Sequence, residues 1–270
     1  MVTAASGRRT RLRPRPPRVL LAAALLLGFL VHPLASPARA DTMFGHDISW
    51  PQCSRADGGY GLPMPLESTD FVIVGLTRGL AFTENPCLAD QVRWARDHGK
   101  PSHAYAMGTF PTSSQLSAHG DEGPWDPSTR AGQLSNVGYA AAEFAAASME
   151  RLGWRPPKVW IDVEPRPAQP WPTGSAARGE NRSVLEGLMR GLQDNGFAYG
   201  LYSYAAGWHE ITGDWQLPDV PVWATAGRLD YPDEALDRCS QRSFSGGPVQ
   251  IAQWYDDIRD YNRTCGGFSL

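Results

Sequence analysis

The sequence contains no C-x-x-C and no H-E-x-x-H. Its histidines beyond residue 40 (His46, His98, His103, His119 and His209) are scattered, so no zinc-type ligand spacing exists and no metal is expected. No glycine-rich phosphate loop occurs, which argues against a nucleotide, and no cofactor is expected. No serine is framed by G-x-S-x-G; Gly200-Leu201-Tyr202-Ser203-Tyr204 fails that pattern. Positive charge is scarce after residue 40. The full chain carries a net charge of −3, but seven arginines and no acids lie in residues 1–40. The remainder has eighteen basic and twenty-eight acidic residues, a net −10. Phosphate binding runs on Lys and Arg, so nucleic acid is a poor partner for such a surface. Adhesion to an anionic wall or membrane by charge alone is disfavoured too. There is also no second long apolar run: the first, Val19–Val31, has 13 residues, whereas a membrane span needs about 20.

What precedes and follows that run defines it. Six arginines (Arg8, Arg9, Arg11, Arg13, Arg15, Arg18) come before it and Ala38-Arg39-Ala40 comes after. A basic start, a short apolar core and an A-x-A site read as a secretory signal peptide over residues 1–40, cut after Ala40. Residues 41–270 are then a single exported domain with no membrane span, and nothing requires more than a monomer. All four cysteines (Cys53, Cys87, Cys239, Cys265) fall in it, and an even count in an exported chain suggests two disulfides. Three pairings are open. Joining cysteines near in sequence order favours Cys53–Cys87 with Cys239–Cys265.

Apolar strand-like runs alternate with helical ones. Strands are expected at His46–Trp50, Asp70–Leu76, Ser102–Gly108, Lys158–Glu164, Ala198–Ser203, Val220–Ala226 and Val249–Tyr255. Helices are expected at Cys87–His98, Gly132–Leu152, Glu180–Asn195 and Trp208–Thr212. This alternation predicts an α/β protein with a parallel sheet buried on both faces. Helices thin out towards the C-terminus, so the late strands should be joined by loops. Pro111–Thr129 and Pro165–Gly179 read as ordered loops, the part of a barrel that builds a site.

The segment Val159-Trp160-Ile161-Asp162-Val163-Glu164-Pro165 carries the most chemistry. It is a strong strand former, yet it holds two acids one residue apart. Positions i and i+2 of a strand share a face, with Cα atoms about 6.6 Å apart. Carboxylates on a buried strand cost stability unless something offsets their desolvation. Such a setting drives two pKa values apart, as acid-base chemistry on a sugar acetal requires. The competing reading is a strand-end pair that caps a helix and forms salt bridges.

The motifs around this pair, in order, resemble the family 25 glycoside hydrolases, secreted muramidases. His46-Asp47-Ile48-Ser49 resembles the family's opening strand, Asp70–Val74 its second, and Val159–Glu164 its D-x-E strand. Gly200–Ser203, Pro221–Ala224, Ala252-Gln253-Trp254 and Asp260-Tyr261-Asn262 resemble the later strands. The Asp47–Cys53 and Asn85–Cys87 pieces are similar to an actinobacterial, exported glycoside-hydrolase-like subgroup. The resemblance implies an irregular TIM-like β/α barrel and an acid-base hydrolase of cell-wall glycan, peptidoglycan in particular. It implies Glu164 as proton donor, Asp162 as the ionised stabiliser, and Asp47 and Asp260 as acids that set the field and orient substrate. Asp256 and Asp257 compete with Asp260 for the last role. Trp50, Tyr105, Tyr202, Trp223, Gln253 and Trp254 are the candidates to stack on or hydrogen-bond to sugars. The chain departs from the family after the second strand, where Thr77-Arg78-Gly79 puts an arginine at an acid's usual position.

The alternative is a non-catalytic wall-glycan-binding protein on the same barrel. An enzyme should hold Asp162 and Glu164 in an open cleft, with Glu164 against apolar neighbours. If Asp162 and Glu164 are instead buried in closed salt bridges, the enzyme reading fails.

Overall fold

The computed structural model describes residues 42–229, 232–266, 268 and 270; the expected signal peptide lies outside them. Eight strands close into one barrel in sequence order: β1 (Phe44–Ile48), β2 (Phe71–Gly75), β3 (Ser102–Met107), β4 (Lys158–Asp162), β5 (Ala198–Ser203), β6 (Val222–Arg228), β7 (Val249–Tyr255) and β8 (Asp260–Thr264). Around them run α1 (Leu88–Asp97), α2 (Ser113–His119), α3 (Arg130–Glu150), α4 (Ser175–Asp194), α5 (Ala205–Thr212) and α6 (Pro232–Leu236).

Side chains alternate across each strand, and this divides the core in two. Phe71, Ile73, Trp160, Tyr202, Trp223 and Ile251 fill the barrel interior. The intervening Val72, Val74, Val159, Ile161 and Leu201 point outward and pack with helix residues such as Leu134, Met149, Leu185 and Leu188. Burial on both faces accounts for the uninterrupted apolar strands. The same alternation puts Asp162, two residues after Trp160, on the inner side at the end of β4.

Strands β1 to β7 are parallel, as the strand-helix alternation predicts, but β8 is not. It runs antiparallel to both β7 and β1 because only a short turn separates it from β7, too short for a crossover. The reversal has a consequence for the site. Parallel strands gather their C-terminal ends at one mouth, and a reversed strand brings its first residue there. Asp260 therefore stands directly across from Asp47 in the β1–β8 register.

Other expectations shift locally. The first strand stops at Ile48, and Trp50–Gln52 forms a 3₁₀ turn, since Pro51 has no N–H for a ladder. The fourth strand ends at Asp162, so Glu164 lies beyond the ladder. Both expected loops contain helix: α2 starts at a Thr112–Gln115 capping box, and α4 starts at Ser175, five residues before Glu180. Between β6 and β7 lie α6 and a 3₁₀ turn at Asp237–Cys239, so that connection is not loop alone. Two disulfides, Cys53–Cys87 and Cys239–Cys265, tie the loop after β1 to the start of α1 and the 3₁₀ turn to the end of β8.

The Ala-rich α3 packs on α4 backbone to backbone. A Cβ on Gly138 would lie 1.9 Å from the Val184 carbonyl oxygen, and one on Gly187 would lie 1.9 Å from that of Ser135. Neither neighbour is a flexible tip, so either added methyl must push the helices apart. Gly138→Ala and Gly187→Ala are each predicted to cost about 1–3 kcal/mol in equilibrium urea unfolding. An unchanged midpoint in either variant would contradict this packing.

Candidate active site

At the strands' C-terminal mouth a cleft of about 360 Å³ is lined by Asp47, Asp162, Glu164 and Asp260, with Arg166 among them. Ser49, Trp50, Tyr105, Tyr202, Trp223, Gln253 and Tyr255 complete the wall. The cleft is open, and a second cavity of about 560 Å³ adjoins it at Glu164 and Tyr255, walled by Tyr204, Ala205, Ala206 and Ala226 among others. Glu164 thus stands between the two cavities, and the second mixes alanines with Thr225, Arg238 and two tyrosines, so the apolar surroundings expected for Glu164 are only partly present.

Asp47 is held by two amides whose orientation is dictated from behind. Trp223 Nε1 donates to Asn262 Oδ1 at 2.8 Å, which leaves Asn262 Nδ2 to donate to Asp47 Oδ2 at 2.7 Å. The Tyr202 hydroxyl donates to Gln253 Oε1 at 2.7 Å, which leaves Gln253 Nε2 to donate to both Asp47 oxygens at 3.1 and 3.2 Å. Each relay starts from a side chain buried in the barrel, so the acid's position is set before any ligand arrives. These hydrogen bonds favour the carboxylate, but burial outweighs them and pushes Asp47 up to about 6.

The other pair is organised by an arginine. Arg166 Nη2 donates to Asp162 Oδ2 at 3.0 Å and to Glu164 Oε2 at 2.8 Å. The remaining Asp162 oxygen is buried without a hydrogen-bond partner. Burial raises Asp162 well above the usual carboxylate range, reinforced by Glu164 and opposed by Arg166. Glu164 is raised as well, by burial first, with Arg166 pulling the other way. Burial, with Asp47, Glu164 and Asp256 near, pushes Asp260 up to about 8. Arg166 bridges the Asp162–Glu164 pair, and all four carboxyls are raised above their ordinary values chiefly by burial.

Both discriminating features of the sequence reading are therefore present at once. The cleft is open, and the acid pair is salt-bridged. Arg166, two residues beyond Glu164 in a proline-rich loop, carried no recognisable periodicity or motif and was not among the expected site residues. Asn262, part of the final D-x-N, emerges as a holder of Asp47. Trp223 and Gln253 line the cleft, but their polar atoms are engaged with Asn262, Tyr202 and Asp47. Trp254 is a correction. Inward Gln253 turns its neighbour outward, where Trp254 stacks on Tyr261 at 5.4 Å and does not line the cleft. Of the competing acids, Asp257 pairs with Arg228 at the surface and Asp256 closes the β7–β8 turn through the Ile258 and Arg259 N–H groups. Among the described residues Arg78 pairs with no acid: it donates to the Gly58 carbonyl at 2.8 Å and lies 5.5 Å from the Trp50 ring centroid. Among the described residues, no cluster of three or more His, Cys, Asp or Glu is arranged to hold a metal.

The raised value of Asp260 fixes the sign of a stability effect. Its proton is bound more tightly in the folded chain, so that contribution is complete below the ordinary carboxylate value of 3.8 and is lost as pH rises through about 8. Asp260→Asn removes the loss. Its melting temperature should exceed that of the parent by about 10 °C at pH 8, and the gap should close towards pH 4. A gap that widens on acidification would contradict the assignment.

No protein-family model matches the sequence, and no curated protein matches it. Solved structures do match in fold. A bacterial lysozyme from Streptomyces coelicolor superposes with a TM-score of 0.54 at 16% identity, over 83% of this chain and 92% of that one. A family GH25 lysozyme from Aspergillus fumigatus gives 0.50 at 14% identity, over 84% and 95%. The modular autolysin LytC from Streptococcus pneumoniae, solved with a synthetic peptidoglycan ligand, gives 0.51 at 13% identity; the match covers 83% of this chain and 46% of LytC. At these identities the comparison speaks to architecture, and the chain has the barrel fold of the GH25 lysozymes.

Proposed function

We propose that this protein is an exported glycoside hydrolase of cell-wall glycan, with peptidoglycan as substrate. The observation that carries the reading is the open cleft that gathers four carboxyls, each raised above its ordinary value chiefly by burial. Cleaving a sugar acetal needs a carboxylic acid to protonate the leaving oxygen and a carboxylate to face the positive charge that develops on the ring.

Glu164 suits the first role: it is the more exposed of the D-x-E pair, it borders both cavities, and burial raises its pKa. Asp162, almost fully buried below it, suits the second. It would stabilise the oxocarbenium-like centre, or a substrate acetamido group acting as internal nucleophile. Asp47 and Asp260 face each other across β1 and β8 and would shape the field and orient substrate. Trp50 and Tyr105 offer ring faces to sugars, whereas the Tyr202 hydroxyl at the cleft wall already donates to Gln253. The disulfides and the leader-like residues 1–40 support action outside the cytoplasm.

One observation favours a second reading, a glycan-binding barrel without turnover: the Arg166 bridge keeps a cation on the acid pair. Glycan release from purified cell walls separates the two. The mature chain should generate new reducing ends, and Glu164→Gln should reduce the rate by about 10²–10⁴-fold, the usual contribution of a general acid. Full activity in the variant would overturn the role of Glu164. Wall binding without release from either protein would establish the binding reading instead.

A further inference from the structure

The Arg166 contact is built unlike a structural anchor. An arginine that fixes a carboxylate normally spends two nitrogens on it in a parallel fork. Here a single nitrogen, Nη2, serves both Asp162 Oδ2 and Glu164 Oε2, and it lies 3.7 Å from Met107 Sδ. Nε is buried without a partner, and Nη1 enters no hydrogen bond within the described residues. The side chain is 35% exposed and lines the cleft, so it has a way out. It is also well placed to obstruct, since a cation on Glu164 Oε2 favours the carboxylate over the protonated acid.

We infer that Arg166 is a positioning residue that locks the acid pair in the empty cleft, and that a bound glycan opens the lock by drawing the guanidinium off Glu164. The released Glu164 carboxylate takes one proton from solvent and becomes the carboxylic acid that can protonate a glycosidic oxygen. The guanidinium finds its new acceptor on the sugar. This rests on the glycan-hydrolase reading of the cleft, and it gives that reading a means of keeping the acid unprotonated until substrate arrives.

The charged and titratable groups around Glu164 favour protonation once the cation leaves. Asp47 faces the cleft from β1, Tyr105 from β3, Asp162 from β4, Tyr202 from β5, Tyr255 from β7 and Asp260 from β8, with Tyr204 just before α5. A second cation, Arg238, lines the adjoining cavity, but in the cleft itself Arg166 is the cation beside Glu164 and the other titratable groups named are acids or phenols. Without the guanidinium nothing in the cleft offsets the mutual repulsion of the carboxylates, and both members of the pair are pushed upward.

The test is calorimetric binding of a sulfur-linked tetrasaccharide of N-acetylglucosamine and N-acetylmuramic acid, whose linkage resists hydrolysis, at pH 7. Titration in two buffers of different ionisation enthalpy reads the protons exchanged. The mature parent chain should take up protons on binding, approaching one per site, and Arg166→Met should bind with little or no uptake. Binding to the parent without uptake overturns the lock and leaves the glycan reading standing. No binding at all overturns both. Kinetics supply a second readout. The alkaline limb of kcat/KM reports the free enzyme and that of kcat the complex, so in the parent the kcat limb should lie higher by about one pH unit or more. Arg166→Met should raise the kcat/KM limb to meet it, whereas Arg166→Lys should keep them apart. If the methionine variant does not fold, the parent's proton uptake decides alone. Coincident limbs in the parent would overturn the proposal.

Discussion

Burying a carboxylate is costly, and this barrel buries or half-buries four around a single guanidinium. The arrangement persists because the charge is allowed to vary. Asp47 and Asp260 are raised to about 6 and about 8, so the acids can hold protons under conditions in which exposed carboxylates have lost theirs. Arg166 offsets part of what remains by bridging Asp162 and Glu164. Everything chemical about the cleft follows from this balance between desolvation, repulsion and one cation.

The fold delivers the four acids from distant parts of the chain by simple geometry. Three follow from parallel strands, whose C-terminal ends converge on one mouth, as ligand sites do on barrels of this type. The fourth depends on β8 running backwards, which sets Asp260 opposite Asp47. Beneath them, the barrel interior is aromatic rather than aliphatic, and that choice is functional as well as space-filling. Trp223 and Tyr202 bury their rings yet keep one polar atom each, and those atoms orient Asn262 and Gln253 towards Asp47. The dry core and the polar site are one continuous structure.

Much of this was legible in the residues, for identifiable reasons. Strands β5 and β7 match their expected ranges, and α1 falls one residue inside its expected Cys87–His98 at each end, with Gly99 just beyond it. The D-x-E pair stood out since acids are rare in such runs. What escaped notice depends on neighbours that no local pattern encodes. Arg166 sits in a proline-rich loop and gains meaning only when the chain folds it onto acids two and four residues back. Trp254 was a sugar-binding candidate because Ala252-Gln253-Trp254 resembles a late strand of the family, but period-two alternation sends it to the outer face beside Tyr261. The antiparallel last strand was hidden by the brevity of its turn.

The most direct test of this account is a carbon-detected NMR titration of the mature chain labelled at the Asp and Glu carboxyls, with the four cleft signals assigned by single amide substitutions. The account predicts that Asp47 titrates near pH 6, that Asp260 titrates near pH 8, and that Asp162 and Glu164 titrate above their ordinary values of 3.8 and 4.5. Four carboxyls that all titrate at or below those ordinary values would mean the cleft holds no proton to give, and the central claim would fail.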